Sequence, residues 1–247
     1  MTEPVTALER FPHLLIFPEW SSTGLFAHHK FPDPGLACID LDGLPEWLVN
    51  RFRYMMSWLE QGFDAIVYKQ GFFDHAAFDA YALSLAFDLK RVLGDKAVVY
   101  RDCEREAPEL QSVVETLPLT GQEPTGSLPP LRSELTHFYV DSSATASALW
   151  GSKDDSHYQA YNYEALPIWL ADRLRYVAAW RKNESHPLLH RNGNFDSEGF
   201  ESYRTSVAVD LKHLLGSTAV VWRNTVGPQA DWTPLEVVPF LPECCDF

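Results

Sequence analysis

LPEWLVNRFRYMMSW, residues 44–58, returns as LPIWLADRLRYVAAW at residues 166–180. Eight of the fifteen positions are identical, and the copies are 122 residues apart. The match extends without a gap over residues 44–102 and 166–224, with 24 identities in 59 positions. Self-similarity of this length indicates a duplicated structural unit. The sequence therefore predicts two tandem repeats, over residues 1–125 (the first unit with a linker) and 126–247.

The order of local patterns predicts the architecture of each unit. An apolar run at residues 13–17 and an alternation of apolar and polar residues at 36–41 are typical of two strands, and a third strand is expected at 97–101. Between them, the stretch at 44–58 carries apolar residues at helical spacing. A second helix is expected between Asp74, a good N-cap, and Gly94, a good C-terminal glycine. The predicted fold class is α+β, with two tandem repeats of a ββααβ unit, each a small sheet packed against two helices.

One arginine lies within the apolar face of the first helix of each unit. Arg51 and Arg173 need a partner there, because an unpaired charge is costly to bury. Asp88 and Asp210 lie at the edge of the apolar stripe of the second helix, at matched positions. We expect structural ion pairs between these arginines and aspartates. The alternative is an arginine that binds an anionic substrate.

The charge of the chain is strongly acidic. The net charge is −14, of which −9 falls in residues 1–125 and −5 in residues 126–247. Such a field disfavours nucleic acid and anionic membranes and favours a cationic partner, although acidity also simply maintains solubility. No secretory signal pattern and no membrane-length apolar run is apparent, and the four cysteines form no C-x-x-C pair. We expect a cytoplasmic protein with free thiols.

The sequence carries no recognisable catalytic or cofactor motif. It lacks G-x-S-x-G, G-x-x-x-x-G-K-[ST] and G-x-G-x-x-G, and none of its nine histidines is matched between the repeats. We predict no catalytic, cofactor-binding or metal-ligating residues.

Acidic residues and tyrosines where the repeats differ are the candidates for partner binding. Tyrosine gives contact area at low entropic cost, and carboxylates attract a basic partner. For the tyrosines of residues 158–163, an ordinary sheet face is the alternative. The predicted contact residues are Glu60, Asp64, Tyr68, Asp154, Asp155, Tyr158, Tyr161 and Tyr163.

Three motifs resemble those of a known family. They are D-G-L-P-x-x-L-x-x-R-x-x-x-x-x-x-W at residues 42–58, F-D-x-x-x-F at 73–78 and L-G-x-x-x-V-V-Y at 93–100. Together they resemble small α/β immunity proteins that accompany bacterial polymorphic toxins; the second repeat has Ala165 in place of Gly43. The resemblance implies an inhibitor of a cognate toxin domain. It implies no shared binding residues, because the motifs are structural.

The expected function is therefore stoichiometric binding and inhibition of a cognate toxin or effector protein, expected to be basic. Two alternatives from other classes stay open. One is an enzyme or small-ligand-binding protein with a site between the two repeats, near His28, His29, Asp154 and His157. The other is an adaptor or assembly protein, including a homodimer.

Overall fold

Both α-helices and β-sheets are present in the computed structural model of the chain, so the fold class is α+β as predicted. The structure describes residues 11–28, 36–101, 113–118, 128–141, 147–224 and 232–236. The chain divides into two units at Thr116 and Leu117. The boundary predicted at residues 125 and 126 lies outside the described residues. Among the helices of the described ranges, none combines the length and apolar character that a bilayer span requires.

The first unit has two long helices and a four-stranded sheet. Its elements are β1 (His13–Ile16), β2 (Leu25–His28), β3 (Leu36–Cys38), α1 (Glu46–Gln61), α2 (Phe63–Val67), α3 (His75–Leu93) and β4 (Val98–Tyr100). The strand order is β3-β2-β1-β4, with β1 antiparallel to β2 and parallel to β4. Helices α1 and α3 pack together, and α3 also packs on β1 and β4.

The second unit has a five-stranded sheet and a separate hairpin. Its elements are β5 (His137–Val140), β6 (Leu149–Ser152), β7 (Gln159–Ala160), α4 (Ile168–Lys182), β8 (His190–Arg191), β9 (Asn194–Phe195), α5 (Ser197–Leu215), β10 (Val220–Asn224) and β11 (Trp232–Pro234). The strand order is β11-β10-β5-β6-β7, and β8 pairs with β9 alone. Helices α4 and α5 pack together, and α5 packs on β5 and β10.

Three strands, rather than the two predicted, precede the long helices in each unit. In the first unit, the segment predicted as a loop contains β2. The connection before β2 is tight: Ser21 and Gly24 have φ values of 60° and 76°, and the Phe17 N–H donates to the Gly24 carbonyl at 3.0 Å. The strand that follows these turn residues has only four residues. That is too short for an alternation of apolar and polar residues to be recognised in the sequence.

The starts and ends of the second long helices are confirmed. Asp74 and Asp196 are the N-caps of α3 and α5, and each carboxylate accepts a backbone N–H three residues further on, at 3.0 Å. Gly94 and Gly216 are the C-caps, with φ values of 57° and 77°. Glycine suits these positions because a side chain strains a backbone with positive φ.

The core of the first unit contains a buried, hydrogen-bonded arginine. The Arg51 guanidinium donates to the Asp88 carboxylate, and its Nη2 atom donates to Ser84 Oγ at 2.8 Å. Its Cζ atom lies 4.6 Å from the centroid of the Tyr81 ring, which adds a cation–π contact. Arg51, Ser84 and Asp88 are all buried. The pair therefore joins α1 to α3 inside the core.

The second unit has the same arrangement. Arg173 donates to Asp210 and, through Nη2, to Ser206 Oγ at 2.9 Å, and its Cζ atom lies 4.8 Å from the Tyr203 ring centroid. These are the ion pairs expected from the sequence. The serine and the tyrosine complete each site, and both are matched between the two units.

We expect the Asp210→Ala variant to lose about 3–5 kcal/mol of unfolding free energy, because it leaves Arg173 as an unpaired buried charge. Denaturant titration followed by tryptophan fluorescence measures the loss. The matched control is Glu184→Ala, since Glu184 pairs with Arg181 at 3.0 Å with both side chains about half exposed. The control should change stability by less than about 1 kcal/mol. Equal losses in the two variants would contradict a structural role for the buried pair.

Candidate functional site

Exposed aromatic side chains cluster around α2 in the first unit. The Phe63 ring contacts the rings of Trp20 and Tyr68, at centroid distances of 5.5 and 5.7 Å. The exposed fractions are 41% for Trp20, 39% for Phe63 and 61% for Tyr68. We define the α2 patch as Trp20, Glu60, Phe63, Asp64, Val67 and Tyr68. Three of its members, Glu60, Asp64 and Tyr68, are contact residues predicted from the sequence. The other three are apolar residues that the structure shows to be exposed.

A glycine allows α2 to follow α1 directly. The Gly62 N–H donates to the Trp58 carbonyl at 3.0 Å and ends α1. A Cβ atom at Gly62 would lie 2.2 Å from the Phe73 ring, so any side chain there would displace Phe73. The matched residue in the second unit is Glu184. The α2 patch therefore depends on a close approach that the second unit lacks.

Two carboxylates belong to the α2 patch. Asp64 is exposed on α2, and Glu60 lies in the last turn of α1. Partial burial raises the pKa of the Glu60 carboxyl above its ordinary value. The patch thus combines apolar contact area with negative charge.

The corresponding segment of the second unit is polar. Its hairpin β8–β9 turns at Asn192 and Gly193, which have φ values of 53° and 79°. Arg191 pairs with Glu198 at 2.9 Å across this segment. The two units therefore share their long helices but differ in the surface that follows the first of them.

A pocket of about 370 Å³ opens on the sheet of the second unit, lined by Tyr139, Asp155, Tyr158 and Trp222. We call these four residues the aromatic pocket. Tyr139 on β5 is in register with Trp222 on β10 and with Trp150 on β6. Its ring stacks on Trp150 at 5.8 Å, with 5° between the planes, and contacts the Tyr158 ring at 4.9 Å. Sequence reasoning missed Tyr139 and Trp222.

Hydrogen bonds of the Asp154 and Asp155 side chains hold the turn before Tyr158. The Asp154 carboxylate accepts from the Ser156 hydroxyl at 2.5 Å and from the Ser152 hydroxyl at 3.4 Å. The Ser156 hydrogen bonds lower the pKa of Asp154. Asp155 follows with φ 61°, and its carboxylate accepts the Tyr158 hydroxyl. Burial, then this hydrogen bond, raises the pKa of Tyr158.

Two of the predicted contact residues require correction. Tyr161 and Tyr163 are both buried. The Tyr163 hydroxyl accepts the Ala148 N–H at 2.7 Å, and the Tyr161 hydroxyl accepts from the Gln159 amide at 2.5 Å. Their near-alternate spacing suggested one exposed strand face, but β7 covers only Gln159–Ala160. Both rings are therefore part of the core, while Asp154, Asp155 and Tyr158 remain at the surface.

The residues of the enzyme alternative are only partly described. Asp154 and His157 both contact the Ser156 hydroxyl, which donates to the Asp154 carboxylate and lies 2.8 Å from His157 Nδ1. The side chain of His28 and all of His29 lie outside the described residues. Across the described ranges, no three His, Cys, Asp or Glu side chains are grouped to hold a metal ion.

No family model matches this chain, and no curated protein or solved structure shows significant similarity to it. The resemblance to immunity-type proteins therefore stays a prediction from the sequence motifs.

We expect Tyr158 to ionise at higher pH than an ordinary tyrosine, whose pKa is about 10. The folded state favours the neutral phenol of Tyr158. The stability that this group contributes is therefore complete below about pH 10 and is lost as the pH rises from there through the raised pKa. Alkaline titration of phenolate absorbance measures the ionisation. Asp155→Asn should lower the pKa of Tyr158, and Tyr158→Phe should remove a late-titrating group. A titration curve unchanged by both variants would refute this expectation.

Proposed function

We propose that this protein is a cytoplasmic toxin-neutralising protein that binds a cognate bacterial toxin domain through the α2 patch. The observation that supports this most strongly is the ring cluster of Trp20, Phe63 and Tyr68 at the surface. Exposed aromatic clusters of this kind are typical of protein interfaces, where a few aromatic anchors supply most of the binding free energy. In this proposal, the protein inhibits the toxin by forming a stoichiometric complex with it.

The charge of the chain supports a basic partner. The net charge is −14, and the α2 patch includes Glu60 and Asp64. Opposite charges speed association and reject wrong partners, while apolar contacts hold the complex. A basic toxin domain fits this combination better than an acidic protein or a nucleic acid.

The proposal includes a tandem duplication of a unit with the predicted ββααβ order, extended by the additional strand. Its support is the 24 identities in 59 positions and the ion pair that each unit carries between its long helices. After duplication, a shared scaffold can be kept while one surface diverges. Residues 59–70 share no identity with residues 181–192, so this segment is the place where we expect partner specificity.

The test is co-expression with the protein encoded by the neighbouring open reading frame. We expect rescue of growth and a stoichiometric complex on a sizing column. The Tyr68→Ala variant should bind about 30-fold more weakly, which corresponds to the roughly 2 kcal/mol that defines an interface hot spot. Isothermal titration calorimetry measures the affinity. Ile168→Ala is the matched control, because Ile168 is an apolar residue of α4 that is 79% exposed.

Several outcomes would overturn the proposal. Absence of both rescue and complex would remove the toxin-neutralising function. A complex that Tyr68→Ala and Ile168→Ala weaken equally would remove the α2 patch as its interface. If the free protein sediments as a dimer that only Tyr68→Ala dissociates, the patch is a homodimer contact and the adaptor alternative takes its place.

A further inference from the structure

The sheet faces of the two units differ in the residues at equivalent register positions. In the second unit, Tyr139 is flanked on neighbouring strands by Trp150 and Trp222, and all three are partly exposed. In the first unit, the position paired in the same way is Leu15, flanked by Phe26 and Tyr100, and all three are buried. Aromatic rings with accessible faces therefore distinguish this sheet of the second unit.

The carboxylate of Asp155 lies at the aromatic pocket. Asp155 is exposed and accepts the Tyr158 hydroxyl, and it forms no ion pair with any arginine or lysine of the described residues. Asp141, which follows β5, differs in this respect, because it pairs with Arg204 at 3.2 Å. The turn that carries Asp155 is fixed by the hydrogen bonds of Asp154. The pocket thus presents negative charge from a pre-organised position.

We propose that the aromatic pocket binds an organic cation, a guanidinium or an alkylated ammonium group, against the rings of Tyr139, Tyr158 and Trp222. Aromatic faces attract such cations through their negative quadrupole, and tryptophan does so most strongly. Asp155 supplies the counter-charge. The volume of about 370 Å³ is at the lower end of the roughly 300–1,000 Å³ range of ligand pockets, which suits a small head group. An anion is disfavoured by Asp155 and by the net charge of −14.

This proposal stands apart from toxin binding, since it concerns a different unit and different residues. The cation can be a free small molecule or an arginine side chain of a protein partner, and the same chemistry serves both. The following experiment therefore uses the full chain alone first, and then its complex.

The test compares choline with its neutral isostere dimethylbutanol, which has the same shape without the charge. Binding is followed by the indole N–H signal of Trp222 in NMR spectra. We expect saturable binding of choline and at least about tenfold weaker binding of the alcohol, because the alcohol lacks the positive charge that the aromatic faces and Asp155 attract. A capped arginine amide is titrated in the same way.

Variants localise the site. Tryptophan fluorescence replaces the Trp222 signal where that residue is changed. Trp222→Leu should weaken choline binding at least about fivefold, because it removes the best cation–π face. Asp155→Asn, at an exposed position that should not affect folding, should weaken choline but not the alcohol. Ile168→Ala, at an exposed position of α4 that does not line the pocket, is the control and should leave both affinities unchanged.

The possible results show whether the bound cation is a free compound or an arginine of a protein partner, and they show when the proposal is wrong. Choline binding that a bound protein partner blocks, together with binding of the arginine amide, assigns the pocket to an arginine of that partner. Choline binding that persists in the complex assigns it to a free ammonium compound. The proposal is overturned if neither cation binds, if the alcohol binds as well as choline, or if Asp155→Asn and Trp222→Leu have no effect. Failure of toxin binding leaves the measurements on the chain alone unchanged and removes only the comparison with the complex.

Discussion

The buried pairing of an arginine with an aspartate is the constraint on which each unit depends. Arg51 can occupy the core only if Asp88 meets it from α3, and Arg173 depends on Asp210 of α5 in the same way. Buried ion pairs add little net stability, but breaking one is costly. With Ser84 and Tyr81 completing the set in the first unit, few rotations of α1 against α3 satisfy all partners. The pair therefore fixes how the two long helices meet.

Once this helix pair is fixed, the segment between the helices is free to change. In the first unit, Trp58 and Phe73 are in ring contact at 6.3 Å, and Gly62 fits only because it has no side chain to displace Phe73. Helix α2 and its exposed rings follow from that fit. In the second unit, a polar hairpin takes this place. A shared core with different inserts is consistent with a scaffold that carries different surfaces.

The sheet of the second unit offers a second place for variation, because only alternate residues of β5 are buried. Along β5, Phe138 and Val140 are buried while His137 and Tyr139 are partly exposed. Tyr139 lies between two tryptophans on neighbouring strands, and the turn that carries Asp155 lies beside them. Together they form a pocket rather than a flat surface. The chemistry of the pocket thus comes from side chains that the core does not use.

The sequence by itself determined the α+β class, the limits of α3 and α5 and the residues of the ion pairs. Capping residues act within one turn, and the matched arginine and aspartate, 37 residues apart in both units, show the pairing twice. Only the tertiary structure decided that Leu25–His28 is a strand, that Tyr161 and Tyr163 are buried, and that Tyr139, Asp155, Tyr158 and Trp222 share a pocket. The physical reason is range: periodicity and caps report local geometry, whereas burial and pockets are set by strand register between distant segments.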